Sequence, residues 1–186
     1  MTNPFSVISI IVLLFCSMMC RAQEVKDSNN DLDKFEILVS KKGTMFKFQD
    51  TNLSPIRLAF AGAAQTKIRK VIVEHQSSFF FLIEQKGQYR TEVGSIAYDD
   101  LIDLTKALDV LESELPADVA ADPDYLENRY ITEDGFRLGY LIQKTKATWY
   151  LMLDDKGSDN AIFVSAPSTI RAALLEAKAK IEELKN

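Results

Sequence analysis

Glu74-His75 is the pair best placed by residue type for acid–base work, because His75 is the single histidine in the chain and an imidazole titrates near neutrality. It ends a strand-like run just before Gln76-Ser77-Ser78, which reads as a turn. Ser77 and Ser78 are too close in sequence to imply a catalytic triad, and the chain has no nucleophile-elbow motif. An ordinary turn histidine is the plainer account. Asp122-Pro123-Asp124 with Glu127, and Asp154-Asp155 with Asp159, group oxygen ligands, but neither has the Asp-x-Asp-x-Asp-Gly spacing of a calcium loop. They read as solvated loop acids. Two carboxylates about 5–10 Å apart in a cleft would suit glycoside hydrolysis, yet 27 acids give no reason to single out a pair.

The densest aromatic content is Trp149 and Tyr150 together with Phe79 and Phe80. These four are the candidate binding residues, lining an apolar groove or interface. Core packing is their plainer role. Ala59-Phe60-Ala61-Gly62-Ala63-Ala64 is a small-residue patch that reads as a loop or a crowded packing site. Asn52-Leu53-Ser54 is a glycosylation sequon that matters only in a eukaryotic source. No phosphate-cradling glycine pattern occurs, and no metal site or cofactor is expected.

Both cysteines, Cys16 and Cys20, lie near the N-terminus, after the apolar run Val7–Phe15 and within the first 22 residues. That run, followed by Cys20-Arg21-Ala22 with small residues three before and one before the next bond, has the layout of a secretory signal peptide. It is shorter than the roughly twenty residues of a membrane span. An uncleaved anchor is the alternative, since no Lys or Arg precedes the run. A lipid-anchored form would need small residues before Cys20, where Met18 and Met19 stand. Cleavage after Ala22 leaves 164 residues with no cysteine, so the fold must be held by its core rather than by disulfides, and thiol chemistry is excluded from the processed protein.

The whole chain has a net charge of −5, and loss of Arg21 takes it to −6. Such a chain has no phosphate-seeking surface, so nucleic acid is not an expected partner. Lys67, Arg69 and Lys70 form the densest basic cluster and read as a solvated strand end.

The elements that must position these residues follow from periodicity. Residues 1–22 are the signal segment and 23–34 a polar, disordered leader. Strands are expected at Phe35–Ser40 and Thr44–Phe48 around the turn Lys41-Lys42-Gly43, then at Ile56–Phe60, Lys67–Glu74, Phe79–Glu84 and Gln88–Val93. Leu101, Leu104, Leu108, Leu111 and Leu115 then form the stripe of an amphipathic helix that Pro116 ends. A linker runs to Asp124. Strands follow at Leu126–Thr132, Phe136–Ile142, Thr148–Leu153 and Ala161–Ser165, and a closing helix begins near Pro167 with the stripe Ile170, Leu174, Ala177, Ile181 and Leu184.

The two series look like one duplicated unit. Phe79–Gly87 and Trp149–Gly157 match in order at a step of seventy, as does Ile56–Phe60 with Leu126–Tyr130, while the helices need another step (Leu104 with Ile170, Leu108 with Leu174). The matched strands are apolar on both faces and must be covered on both. The expected fold is α+β: one duplicated domain over 35–186, with halves of about 35–115 and 117–186, each an antiparallel sheet of about four strands followed by one amphipathic helix.

The functional expectation is an exported binding or protein-interaction module, periplasmic or extracellular, rather than an enzyme. Its partner would be a protein or a small apolar ligand, with a homo-oligomer allowed and no membrane span after processing. The alternatives are an exported hydrolase using carboxylates with His75, and a structural component of a cell-envelope assembly.

Overall fold

The protein is described by a computed structural model, which covers residues 33–87, 91–144, 146–154 and 161–186. The signal segment and leader residues 23–32 lie outside the described residues, as do Asp155 and Asp159. The chain forms α1 (Lys34–Val39), β1 (Phe46–Arg57), β2 (Ala63–Val73), β3 (Gln76–Lys86), β4 (Thr91–Ala97), α2 (Tyr98–Ala120), β5 (Leu126–Ile131), β6 (Arg137–Gln143), β7 (Lys146–Met152), β8 (Ala161–Val164) and α3 (Pro167–Lys185). Each half is an antiparallel four-stranded meander, β1-β2-β3-β4 and β5-β6-β7-β8, followed by a long helix.

The repeat shows in the strand register. Ile68 pairs with Phe81 and Lys70 with Phe79. Adding 70 gives Leu138 with Leu151 and Tyr140 with Trp149, which are pairs of the second sheet. From the fourth strand on, the step is 66. Phe81 pairs with Ile96 and Leu151 with Ile162, and the same step carries Leu104 to Ile170 and Leu108 to Leu174, all four buried. The second half is therefore four residues shorter between its third and fourth strands.

The expected match of Ile56–Phe60 with Leu126–Tyr130 is not kept. Thr51 pairs with Ile68 and Tyr130 with Leu138, a step of 79 for the first strands. The nine additional residues of the first half lie between the paired Thr51 and Ile68, across the end of β1, its loop and the start of β2. They include a register shift between Leu53 and Ile56, where Pro55 supplies no N–H to a ladder. What reads as two short strands is thus one long, irregular β1. The tip of this hairpin reaches the other sheet, where the Ala59 N–H donates to the Phe163 carbonyl at 2.8 Å.

Both helices pack between the sheets. α2 touches β3 and β4 of its own half and β5 and β6 of the other, and α3 touches β1, β2, β8 and α2. One core results, holding Ile68, Phe81 and Ile96 from one sheet, Leu138, Leu151 and Ile162 from the other, and both helical stripes. α2 runs past Pro116 to Ala120 rather than ending there. The missing N–H is tolerated because tertiary contacts hold the last turn: Asp118 accepts a hydrogen bond from Tyr140, and Val119 packs on the core.

Phe35–Ser40, expected as a strand, is mostly the helix α1. Asp33 accepts from the Glu36 N–H at 2.6 Å, and the Asp33 N–H donates to the Glu36 carboxylate at 3.3 Å, a complete capping box that starts a helix at Lys34. Phe35 and Leu38 then cover Val71, Phe80 and Leu82 on the outer face of the first sheet. The Lys34 ammonium anchors α1, 2.8 Å from Asp100 at the start of α2 and 3.3 Å from Glu133 in the β5–β6 turn. The Lys34 N–H donates to Asp134 at 3.1 Å.

Burial pushes the Asp134 carboxyl up to about 6, against the pull of Lys34. A carboxyl raised in the folded state costs nothing while it is protonated in both states and destabilises the fold as pH rises through that range. Asp134→Asn keeps the acceptor and removes this cost. Between pH 4 and pH 7 the variant should gain about 1–2 kcal/mol on the wild type in urea unfolding, less than the shift would give in a dry site because water screens a half-exposed group. Parallel pH profiles would contradict the assignment.

Candidate functional site

The four aromatic candidates do not form one site. Trp149 is 3 % exposed and packs edge-on to Tyr140 with ring centroids 4.9 Å apart, and Phe79 shares the same core. Their neighbours Phe80 and Tyr150 point to the opposite faces, as strand alternation demands. Phe80 lies under Phe35 of α1, with centroids 5.3 Å apart. Tyr150 donates to Glu127 at 2.5 Å. Glu74 and His75 form the β2–β3 turn, with Glu74 at φ 55° and His75 exposed. A shallow groove of about 360 Å³ beside α1 does collect Phe79, Phe80, Ser77 and Ser78 with Lys34 and Lys185. Lys34 there is already held by Asp100 and Glu133.

A second groove, of about 380 Å³, runs between α2 and the edge strand β5. Its apolar floor is Ala107, Val110, Leu111 and Tyr130, and Val110 is 53 % exposed. The same periodicity that buries Leu108 and Leu111 leaves Val110 facing outward. Asn128 fixes the wall: its side-chain N–H groups lie 2.7 Å from Glu114, 3.3 Å from Asp118 and 3.2 Å from the Tyr140 hydroxyl, which itself donates to Asp118 at 2.6 Å. Burial, and then Asp118, push the Tyr140 hydroxyl up to about 12, so it stays a donor at neutral pH. On the other face of β5, Glu127 is held below the usual carboxylate range by the Tyr150 hydroxyl. It also pairs with Arg129 at 3.1 Å. These groups are fixed donors and acceptors that suit binding and orientation rather than proton transfer. Among the described residues, no three His, Cys, Asp or Glu side chains gather closely enough to hold a metal ion.

The position of β5 depends on Gly139, which pairs with Arg129. A Cβ there would lie 2.4 Å from the Asn128 carbonyl and 2.8 Å from the Arg129 Cβ. The sheet brings these backbones too close for any side chain, and in the first half Arg69 occupies the equivalent place.

Neither Val110 nor Asn128 carries a sequence signal for this site. Val110 is one apolar residue off the leucine stripe, and Asn128 is one polar residue within a strand. Glu127 and Tyr150 both stand out in the sequence, but their pairing does not, because the two lie in strands separated by β6.

Tyr140→Phe tests the wall. It leaves Asp118 and Glu114, neighbouring acids on one helix face, sharing only Asn128. The loss in denaturant unfolding should be about 1.5–3 kcal/mol, the worth of a hydrogen bond to a charged acceptor. An unchanged midpoint would show that the hydroxyl does not hold this corner.

No protein-family model matches this chain, and comparison with curated proteins and with solved structures gives no significant match.

Proposed function

We propose that the chain is an exported, non-catalytic binding module whose site is the groove between α2 and β5. The observation that carries this is the groove itself. Its floor is apolar, its polar groups are fixed by Asn128 and Tyr140, and it lies along a strand edge. Such concavities are the usual seat of ligands. Export is supported by the apolar run Val7–Phe15 and the small-residue pattern ending at Ala22. The hydrolase alternative has less support, since His75 lines neither groove.

A small-fragment library screened by amide chemical shifts on the ¹⁵N-labelled protein tests the site. Hits should move the amides of Ala107, Val110, Leu111 and Asn128 to Tyr130. Val110→Glu should abolish those shifts while leaving the fold intact, because an exposed helix position changes stability by only about 0.5 kcal/mol. Hits confined to other surfaces, or unaffected by Val110→Glu, would refute the assignment.

A further inference from the structure

We infer that the natural occupant of this groove is an extended polypeptide segment that adds as a strand to β5, placing an aliphatic side chain over Val110 and a Lys or Arg beside Glu114 and Asp118. This rests on the groove being the binding site.

Three observations on different groups carry it. The first is the backbone of β5. The Thr132 N–H donates to the Phe136 carbonyl at 2.9 Å, which makes 132 and 136 a hydrogen-bonded pair. Antiparallel pairs alternate between bonded and non-bonded. Leu126, Asn128 and Tyr130 therefore bond to β6, while Glu127, Arg129 and Ile131 turn their N–H and C=O groups to the open edge. A second strand is the natural partner of such a row.

The second is the state of the other sheet edges. β8 receives the Ala59 N–H. β1 is broken by its irregularity at Pro55, and its Ser54 N–H is taken by Glu176 of α3. At β4, the chain turns directly into α2 at Tyr98, and α1 packs against the strand. β5 carries none of these protections among the described residues.

The third is charge. Glu114 and Asp118 stand one turn apart on α2 and, among the described residues, meet only the neutral donors Asn128 and Tyr140. Like charges at that spacing repel, and a cation brought by the partner relieves them. The other rim charges are already matched, Asp103 by Lys106 and Arg129 by Glu127.

The test uses displayed random decapeptides selected on the protein, then titration calorimetry with the best synthetic peptide. The enriched sequences should combine an aliphatic residue with a Lys or Arg. N-methylation at every second peptide position should weaken binding at least tenfold, because those N–H groups pair with β5, while N-methylation at the intervening positions should leave it unchanged. Val110→Glu and Glu114→Lys should each weaken it at least tenfold. Failure to enrich any peptide, or binding indifferent to the N-methyl pattern, overturns the strand-addition proposal. If fragments still occupy the groove in that case, the binding site stands and only its occupant is wrong; if they do not, both fall. A dimer in sedimentation that competes with the peptides would overturn the proposal in favour of a second copy of this chain.

Discussion

Strands β3 and β7 carry large apolar side chains on both faces, and the architecture follows from the need to cover four faces at once. Phe79, Phe81 and Ile83, with Trp149, Leu151 and Leu153, point inward to one core. That core is filled by two helices shared between the sheets, so neither half can bury its inner face alone. The outer faces are covered differently. Phe80 and Leu82 lie under α1. Tyr150 is 3 % exposed, lies beside Phe163 with ring centroids 6.4 Å apart, and has its hydroxyl satisfied by Glu127. A tyrosine in place of a phenylalanine lets this covered ring end in a hydroxyl that reaches Glu127 of β5.

The sequence makes the repeat legible because buried strands and amphipathic helices have fixed periods. The leucine stripe of α2, the Ile170–Ile181 stripe of α3 and the paired third strands all stand where periodicity places them. The misreadings have local physical causes. The run Phe35–Val39 is too short for period to separate helix from strand, and the deciding signal was the Asp33–Glu36 capping box. Pro116 suggests a helix end, but the stop is overridden by the hydrogen bond that Asp118 accepts from Tyr140, 22 residues further on. Ile56 resembles Leu126 in chemistry, yet the irregularity at Pro55 shifts its register.

The groove was scarcely legible at all. It depends on an edge position in a sheet, on a glycine that lets two strands close up, and on a valine one place off a buried stripe. None of these has a residue signature, since each is defined by what is absent beside it. The aromatic residues that draw the eye in the sequence serve mainly to fill the core and to seal its outer faces.

The account turns on which backbone groups of β5 face outward, and amide hydrogen exchange on the unliganded protein measures that directly. The amides of Asn128 and Tyr130 should be protected by β6, while those of Glu127, Arg129 and Ile131 exchange orders of magnitude faster. Equal protection along the strand, or protection of Arg129 in place of Asn128, would contradict the open edge and the binding mode built on it.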